Sequence, residues 1–527
     1  MLEMIYITAY LSFIALLLSL TVGRRLESSL DWEVFSKKYL VPHFGHNWFS
    51  KSPLAIFLHW DRWFVWEWLS GLRYLVSGTS LILDAYKPGV AFSLPTPETK
   101  YLHFSSEAHV KELVSAPRDV LSLHALSKEL LQPKYTMDGL VVEDGMSANG
   151  IVHLRVLGVM LRNRLNELHS RLRKTVSQRL SSEISNGTPK QDGWVELPLF
   201  QLAKKVIAAG NSSAFFGDEV AHDHHFVEAA LRYPEELFTS AEILRLIPGW
   251  TVGLVAPILR WRSRASKLMI ERLRPLVEQR MEDFAKDPQG DRHVDCLEFF
   301  VEASRTKDPW SAQKILQVIL GVWFASVHQP ALALVYALDD LCRHPEYIGL
   351  LRQDLEDFAG GRASPKVENI PLLDSFLKES ARLHPSEAIS VRRQAVEPFR
   401  FSDGTFVRAG QVACVPLNAI MRDPQRYHDS LAFDGGRFVE QGKADKASKF
   451  CSSNTDYPLW GLGDHTCPGR FYAARILKTA VAEILLDFDI KFPEGQEESR
   501  YFNWRSSTIP YAKTSLLFRK RRDRVPA

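Results

Sequence analysis

The chain is short of cysteine and of any surplus of charge, and each shortage excludes something. Its five cysteines, Cys296, Cys342, Cys414, Cys451 and Cys467, are scattered and odd in number. No two stand as Cys-x-x-Cys, so neither a zinc ribbon nor a dithiol redox site is encoded. The count fits a reducing compartment rather than a disulfide scaffold. Sixty-five Lys and Arg face 62 Asp and Glu, a balance that argues against nucleic-acid binding driven by net charge. The sequence contains no internal repeat. No Gly-x-Gly-x-x-Gly follows a strand-like run, so no flavin or nicotinamide module is encoded, and reducing electrons must come from outside.

What is present is an ordinary globular composition, 46% hydrophobic and 24% charged over 527 residues, with ample material for a large core. Length alone suggests about three domains, a soft expectation. Met4 to Val22 is an uncharged apolar run, long enough to span a bilayer core of ~30 Å. Arg24 and Arg25 follow at once, and only Glu3 precedes it. Positive residues stay cytoplasmic, so a retained anchor with a cytosolic body is expected. A cleaved signal peptide would want its basic residues on the other side. A tryptophan-dense stretch follows, with Trp48, Trp60, Trp63, Trp66 and Trp68, suited to a membrane interface or to a packed core. Asn186-Gly-Thr and Asn211-Ser-Ser match the glycosylation pattern and would stay unused in a cytosolic body.

The rest of the chain has an outline that is mainly α with a minor β-sheet. Short strands are expected from Leu81 to Phe104, broken by Pro88-Gly89 and Pro95. Apolar residues recur at three and four spacing over Glu107–Ser115, Asn149–Glu183, Phe226–Thr239, Ser263–Phe284 and Val294–Thr306, which predicts helices. Strand-like runs return at Ile389–Phe401, Thr405–Pro416 and Thr514–Arg519. Between Leu244 and Trp261 an apolar loop around Pro248-Gly249 and Pro257 is expected, or else a buried helix junction. A long helix from about Ser311 to Arg343 has an apolar middle. His328, Gln329 and Pro330 at its centre argue against a second membrane span. The basic end, Arg519 to Arg524, is expected to be a solvated tail.

The chemistry concentrates in WGLGDHTCPGRFYA, Trp460 to Ala473. Cys467 sits between glycines, just before an apolar helix whose N-terminal amides stabilise negative charge on sulfur. A thiolate so placed is suited to ligate a metal. Gly461 and Gly463 let a turn approach a flat cofactor, and His465 can bond an anionic group on it. The bland alternative is a buried free cysteine at a helix start. Upstream, Glu379 and Arg382 lie three apart on a probable helix, close enough to pair. Ser390-Val-Arg392-Arg393 puts two arginines on a strand, where neighbours point to opposite faces. One of them should reach inward and the other should be a solvated charge.

These segments resemble the cytochromes P450, the haem-thiolate monooxygenases, and the resemblance covers about Ser77 to Arg519. The family's haem-loop pattern is met by Trp460, Gly463, His465, Cys467 and Gly469, with Trp for the usual Phe and Gly461 as an extra glycine. Its Glu-x-x-Arg is met by Glu379 and Arg382. FDGGRF supplies the partner Arg437, with Gly435 in place of the usual proline, which should leave that loop less stiff. The resemblance implies haem b with Cys467 as axial ligand. It also implies a structural triad of Glu379, Arg382 and Arg437, and a haem propionate held by Arg393 (or Arg392) and His465. Of the early-helix candidates, His153 and Arg155, neither is compelling.

The same resemblance aligns FASVHQPA, Phe324 to Ala331, with the family's oxygen-binding kink. Ala325, Ser326, His328, Gln329 and Pro330 take its places, so the usual acid becomes His328 and the usual hydroxyl Gln329. Gln329 would position a water chain and His328 or solvent would supply protons. Alternatively both only widen the kink that Pro330 causes. Substrate contacts are expected at Trp323, Phe324 and Ser326, at Ile389 and Val391, and at Thr508, unless these are ordinary core.

The implied protein is a membrane-anchored haem monooxygenase, most similar to fungal members that tailor terpenoids and related secondary metabolites. Residues 4–22 would be the anchor, 23–76 a membrane-proximal linker and 77–527 a single catalytic domain on the cytosolic side of the endoplasmic reticulum membrane. Its partners would be a membrane-bound NADPH-dependent cytochrome P450 reductase, membrane lipid and a lipophilic small molecule, with no nucleic acid. A peroxide-using or rearranging haem enzyme, or a haem protein that binds without turnover, are the alternatives.

Overall fold

The computed structural model describes residues 70–142, 151–221, 223–247, 249–305, 309–359, 367, 370–439, 449–496 and 501–521. The expected anchor, most of the expected linker and the tryptophan-dense stretch lie outside them.

A helix over residues 70–85 opens the described chain, where strands were expected from Leu81. Pro88-Gly89 follows that helix rather than breaking a strand. Strands β1 (Phe92–Pro95) and β2 (Lys100–His103) then form an antiparallel pair. Helix α1 (Glu107–Ser115) is capped by Ser106, whose hydroxyl accepts from the His109 amide, which satisfies one of the orphan donors of a helix start. The short strand β3 (Leu121–Ser122) leads into helix α2 (Leu123–Leu131). Helices α3 (Leu165–Ser185), α4 (Leu199–Phe216), α5 (His224–Leu246), α6 (Gly249–Arg262), α7 (Ala265–Lys286) and α8 (Cys296–Ala303) follow. Helix α9 (Ala312–Arg343) is capped by Ser311 and spans about 48 Å at 1.5 Å per residue. Helices α10 (Glu346–Ala359) and α11 (Pro371–Leu383) lead to strands β4 (Ser390–Ala395) and β5 (Val412–Val415). Helix α12 (Arg470–Asp487) starts three residues after Cys467, and the hairpin β6 (Tyr501–Trp504) and β7 (Ser507–Pro510) lies near the end.

The main sheet runs β1-β2-β5-β4-β3. A smaller four-stranded sheet joins Phe488–Lys491, Ser515–Lys520, Val195–Pro198 and Thr188–Pro189. The helical core forms around α9 and α12. In α12 nearly every side chain from Ala474 to Asp487 is buried, as expected of a helix wrapped on all sides. Helix α9 buries Ile315, Leu316, Ile319, Leu320 and Trp323 on one face, the spacing of a core stripe. It is the one described helix long and apolar enough to cross a bilayer, yet it packs against α4, α7, α11 and α12.

Of the two expectations for Leu244 to Trp261, the segment forms a helix junction and not a loop: the end of α5 is followed by α6, in which Pro257 is tolerated. Asn211 is completely buried in α4, so a glycan there is excluded by packing in any compartment.

Candidate active site

A cavity of about 650 Å³ lies between α9, α12, β4 and the Cys467 loop, within the range of small-molecule sites. Cys467 lines it, with Trp460, Gly461, His465 and Gly469 from the same loop. The loop is held by its own backbone. The Cys467 amide donates to the Trp460 carbonyl at 2.7 Å, and the Thr466 amide to the Gly463 carbonyl at 3.0 Å. Gly461 and Gly463 have φ of +76° and +64°, a region open chiefly to glycine. For Gly463 the reason differs from the expected one. A Cβ on Gly463 would lie 2.3 Å from Val114 Cγ1 of α1, so this glycine seats the loop on a helix and does not line the cavity. Gly469 does line it, with open space where a Cβ would stand. Burial raises the Cys467 thiol above its ordinary pKa, while the Gly469 amide and Arg470 pull it back. Anionic sulfur there needs a cation as partner. The indole of Trp460 donates to the Phe450 carbonyl at 2.7 Å.

Arg393 and His465 converge on one side of this cavity, joined by Arg118 and His124. Burial, then the nearby Arg118, lower the Arg393 guanidinium to about 10. Burial, then Arg393, Arg118 and His124, push His465 down to about 4. His465 Nε2 is buried without a hydrogen-bond partner. Arg118 also pairs with Asp464 at 2.5 Å. Cations crowded together, with a buried ring nitrogen left over, want an anion. Together with the sulfur, that donor set fits a haem: Cys467 would hold the iron, and Arg393 and His465 would face a propionate. His153 lines the same cavity, and burial, then His124, lower it to about 4. Arg155 is exposed. Arg118 and His124 were missed because nothing in the sequence near them marks a site.

Arg392 is neither a solvated charge nor beside Arg393's cluster. Strand β4 shifts register between Ser390 and Arg393, and Val391 takes φ +48°. Such a bulge re-aims side chains, so Arg392 and Arg393 both line the cavity despite the alternation expected of a strand.

The structure brings Glu379, Arg382 and Arg437 together. Arg382 forms a bidentate pair with Glu379 at 2.7 and 2.8 Å, and both are fully buried. Arg437 Nε donates to Glu379 Oε1 at 3.0 Å. The remaining Arg382 Nη1 protons go to the carbonyls of Met421 and Ser430, both at 2.6 Å. A buried charge pair is tolerable only when so completely satisfied. Gly435 does not loosen this segment. Its amide donates to Tyr347 Oη at 3.0 Å, and a Cβ there would lie 2.8 Å from the Tyr347 ring. Proline would lose the donor and collide.

On the opposite wall α9 carries Pro330, which has no amide to offer the Ser326 carbonyl one turn back. Asn211 of α4 fills that gap. Its Nδ2 donates to Ser326 O at 2.8 Å, and its Oδ1 accepts from Tyr472 Oη at 3.0 Å. Tyr472 lies on α12, five residues after Cys467. Ser326 and Gln329 line the cavity. His328 does not. It packs edge-on against Phe200, and burial, then Lys204, lower it to about 3. It is a neutral core imidazole and is poorly placed for the expected proton supply.

Of the expected substrate contacts, Ile389 and Val391 line the cavity with Ser326. Trp323, Phe324 and Thr508 do not. Trp323 is fully buried behind α9, donating to the Ala230 carbonyl at 2.8 Å and packing on Phe215 and Phe216. Phe324 packs against the helical core. Thr508 uses its hydroxyl on Asn503 and its carbonyl on Tyr336 Oη. Helix α9 turns by about 100° per residue, so an alignment slightly out of phase assigns the wrong face.

A mostly helical body with a cysteine loop opposite a long helix that carries an internal proline is the architecture of a haem-thiolate protein. The chain belongs to the cytochrome P450 family, whose model, Cytochrome P450, matches residues 165–518. That family is one of monooxygenases, oxidoreductases that incorporate oxygen at a haem. Curated relatives include Cytochrome P450 monooxygenase 151 of Postia placenta, 28% identical over 86% of this chain and 91% of its own. Cytochrome P450 monooxygenase olcJ of Penicillium canescens is 28% identical over 90% and 89%. Ent-kaurene oxidase P450-4 of Gibberella fujikuroi is 29% identical over 72% and 77%. Among solved structures, the haem domain of cytochrome P450DA superposes with a TM-score of 0.66 at 18% identity, covering 86% of this chain and 95% of that one. The retinoic-acid-bound cyanobacterial CYP120A1 gives 0.65 at 18%, covering 86% and 97%. Both share the fold.

Proposed function

We propose that this chain is a membrane-anchored monooxygenase that hydroxylates a lipophilic small molecule, a terpenoid or related fungal secondary metabolite, with successive oxidations open to it. The carrying observation is Cys467 on a cavity wall with Arg393 and an unpartnered His465 Nε2 beside it. Haem b, held by Cys467 and faced by Arg393, His465, Trp460, Gly461 and Gly469, would supply the oxygen-activating chemistry. The chain's own residues would bind and orient the substrate against an apolar wall of Leu157, Val322, Ala325 and Ile389. Gln329, beside Pro330 on the cavity side of α9, would order water there and hold a proton path that His328 cannot serve.

Kinship with an enzyme named for ent-kaurene supports the terpenoid class. The apolar run at 4–22 supports a single-pass anchor, with residues 77–527 as one catalytic domain on the cytosolic face of the endoplasmic reticulum. Trp250, Leu254, Ile258 and Trp261 of α6 are exposed by 60% or more at helical spacing, which supports a second contact with lipid. A membrane-bound NADPH-dependent cytochrome P450 reductase would deliver the electrons. The test is product formation from terpenoid scaffolds in membranes carrying such a reductase. Substrate-stimulated NADPH use with matching oxygenated product is the expected result. Product formed only with added hydrogen peroxide would contradict it.

A further inference from the structure

Arg392 is left over when the cofactor's contacts have been assigned. Arg392 lines the cavity, and 31% of its side chain is accessible. Among the described residues it makes no hydrogen bond with its guanidinium. The one carboxylate near it, Glu387, stands 3.9 Å away, beyond hydrogen-bond reach. Glu387 is itself occupied. Ser506 Oγ donates to its Oε2 at 2.8 Å, and Ser507 Oγ donates to its Oε1. Arg392 thus keeps guanidinium donors without a hydrogen-bonded acceptor beside Ser386, Glu387 and Ser390 of the cavity wall, an arrangement that costs free energy unless a ligand supplies one.

The backbone is distorted to put it there. Val391 is β-branched at φ +48°, an outlier for such a residue. Strain of this kind persists where the surrounding structure over-determines it and clusters at ligand clamps. Its effect is to turn Arg392 and Arg393 both toward the cavity, toward different neighbours: Arg393 toward Arg118 and His465, Arg392 toward Glu387 and Tyr101.

We infer that Arg392 is a specificity-determining anchor for a neutral oxygen acceptor, a carbonyl oxygen, on an otherwise lipophilic substrate. Glu387 decides between neutral and anionic ligands. Arg392 and Glu387 together carry no net charge, so a neutral acceptor meets donors without repulsion, whereas an incoming carboxylate meets a fixed one. The substrate thus arrives already oxygenated, and the reaction class that supplies it is an earlier oxidation rather than the cyclisation of a hydrocarbon. This inference rests on the reading of the cavity as the oxidation site.

The test uses the full-length, haem-loaded protein in detergent. Three probes share one carbon skeleton: a tricyclic diterpene hydrocarbon, its ketone and its carboxylic acid. Dissociation constants come from the substrate-induced shift of the Soret band. The ketone is expected to bind about tenfold tighter than the hydrocarbon, as one charge-assisted hydrogen bond gives. Arg392→Met should erase that preference, leave hydrocarbon binding within about twofold, and leave haem content unchanged. Arg392→Lys, which keeps the charge but not the fork, should retain only part of it. Equal binding of ketone and hydrocarbon by the unaltered protein overturns the inference, and needs no variant to fold. So does tightest binding of the carboxylate, or loss of haem in Arg392→Met. A protein that takes up no haem at all refutes the functional reading instead, so the two failures are distinguishable.

Discussion

The two walls of the cavity are built on opposite plans. The Cys467 wall is a short contiguous loop locked by its own amides, and the chain upstream of it carries a Glu379, Arg382 and Arg437 set hydrogen-bonded to one another and to backbone carbonyls. The α9 wall is a continuous helix that lacks one amide at Pro330, and the carbonyl so released is held by a single amide from another helix, Asn211. One side is over-determined and the other is held at one point. A metal ligand needs a fixed geometry, whereas a wall that admits water and substrate needs a gap in its hydrogen bonding. The difference teaches which substitutions should unfold the site and which should only mistune it.

The largest expected effect is on the Cys467 side. Glu379→Ala leaves two arginines buried without their carboxylate, a loss of about 3–5 kcal/mol. Haem-containing protein should fail to accumulate, as read from the haem-to-protein ratio after expression. Normal yield and melting temperature would break the comparison at its stronger end.

On the α9 side, Asn211→Ala strands the Ser326 carbonyl and the Tyr472 hydroxyl, at about 1–3 kcal/mol. The melting temperature should fall while haem content holds, and peroxide released per NADPH should rise. If haem content falls as it does for Glu379→Ala, the two walls are not separable.

A pH titration sharpens the same contrast. His328 is neutral in the folded chain down to about 3, whereas unfolded histidine takes up a proton near 6.5. Stability is therefore intact above 6.5 and is lost as pH falls from there toward 3, by about 1.4 kcal/mol per unit. His328→Phe should flatten this acid limb in melting temperature measured against pH. An unchanged limb would mean that the imidazole is not buried neutral.

The smallest effect separates neighbours on α9. Gln329→Ala should lower product formed per NADPH, and His328→Phe should leave it unchanged, because only Gln329 lines the cavity. Coupling lost in His328→Phe would restore the histidine as proton source.

This asymmetry also explains what could be read from the sequence. The cysteine loop and Glu379–Arg382 are local patterns, so their chemistry shows in consecutive letters. Arg118 in the turn after α1, His124 of α2 and Asn211 of α4 reach the site from distant parts of the chain, and no spacing relates them to Cys467. Asn211 even matched a glycosylation signal, because a tripeptide carries no information about burial. Trp323 and Thr508 were misplaced because one residue of slip on a helix or hairpin moves a side chain to another face. The sequence around α6 leaves a loop and a helix junction both open because Pro248, Gly249 and Pro257 are breakers in isolation, while its apolar face on α5 and Tyr135 overrides them. Val391 at positive φ has no signature in the sequence, and it is what turns Arg392 inward.

The central claim is that Cys467 presents an anionic sulfur to iron at this cavity. The direct measurement is the carbon monoxide difference spectrum of the reduced protein, taken alongside Cys467→Ser. The intact chain should give the red-shifted Soret band that a thiolate donor produces, and Cys467→Ser should lose it. An intact chain that takes up haem yet lacks that band, or a serine variant that keeps it, would contradict the account.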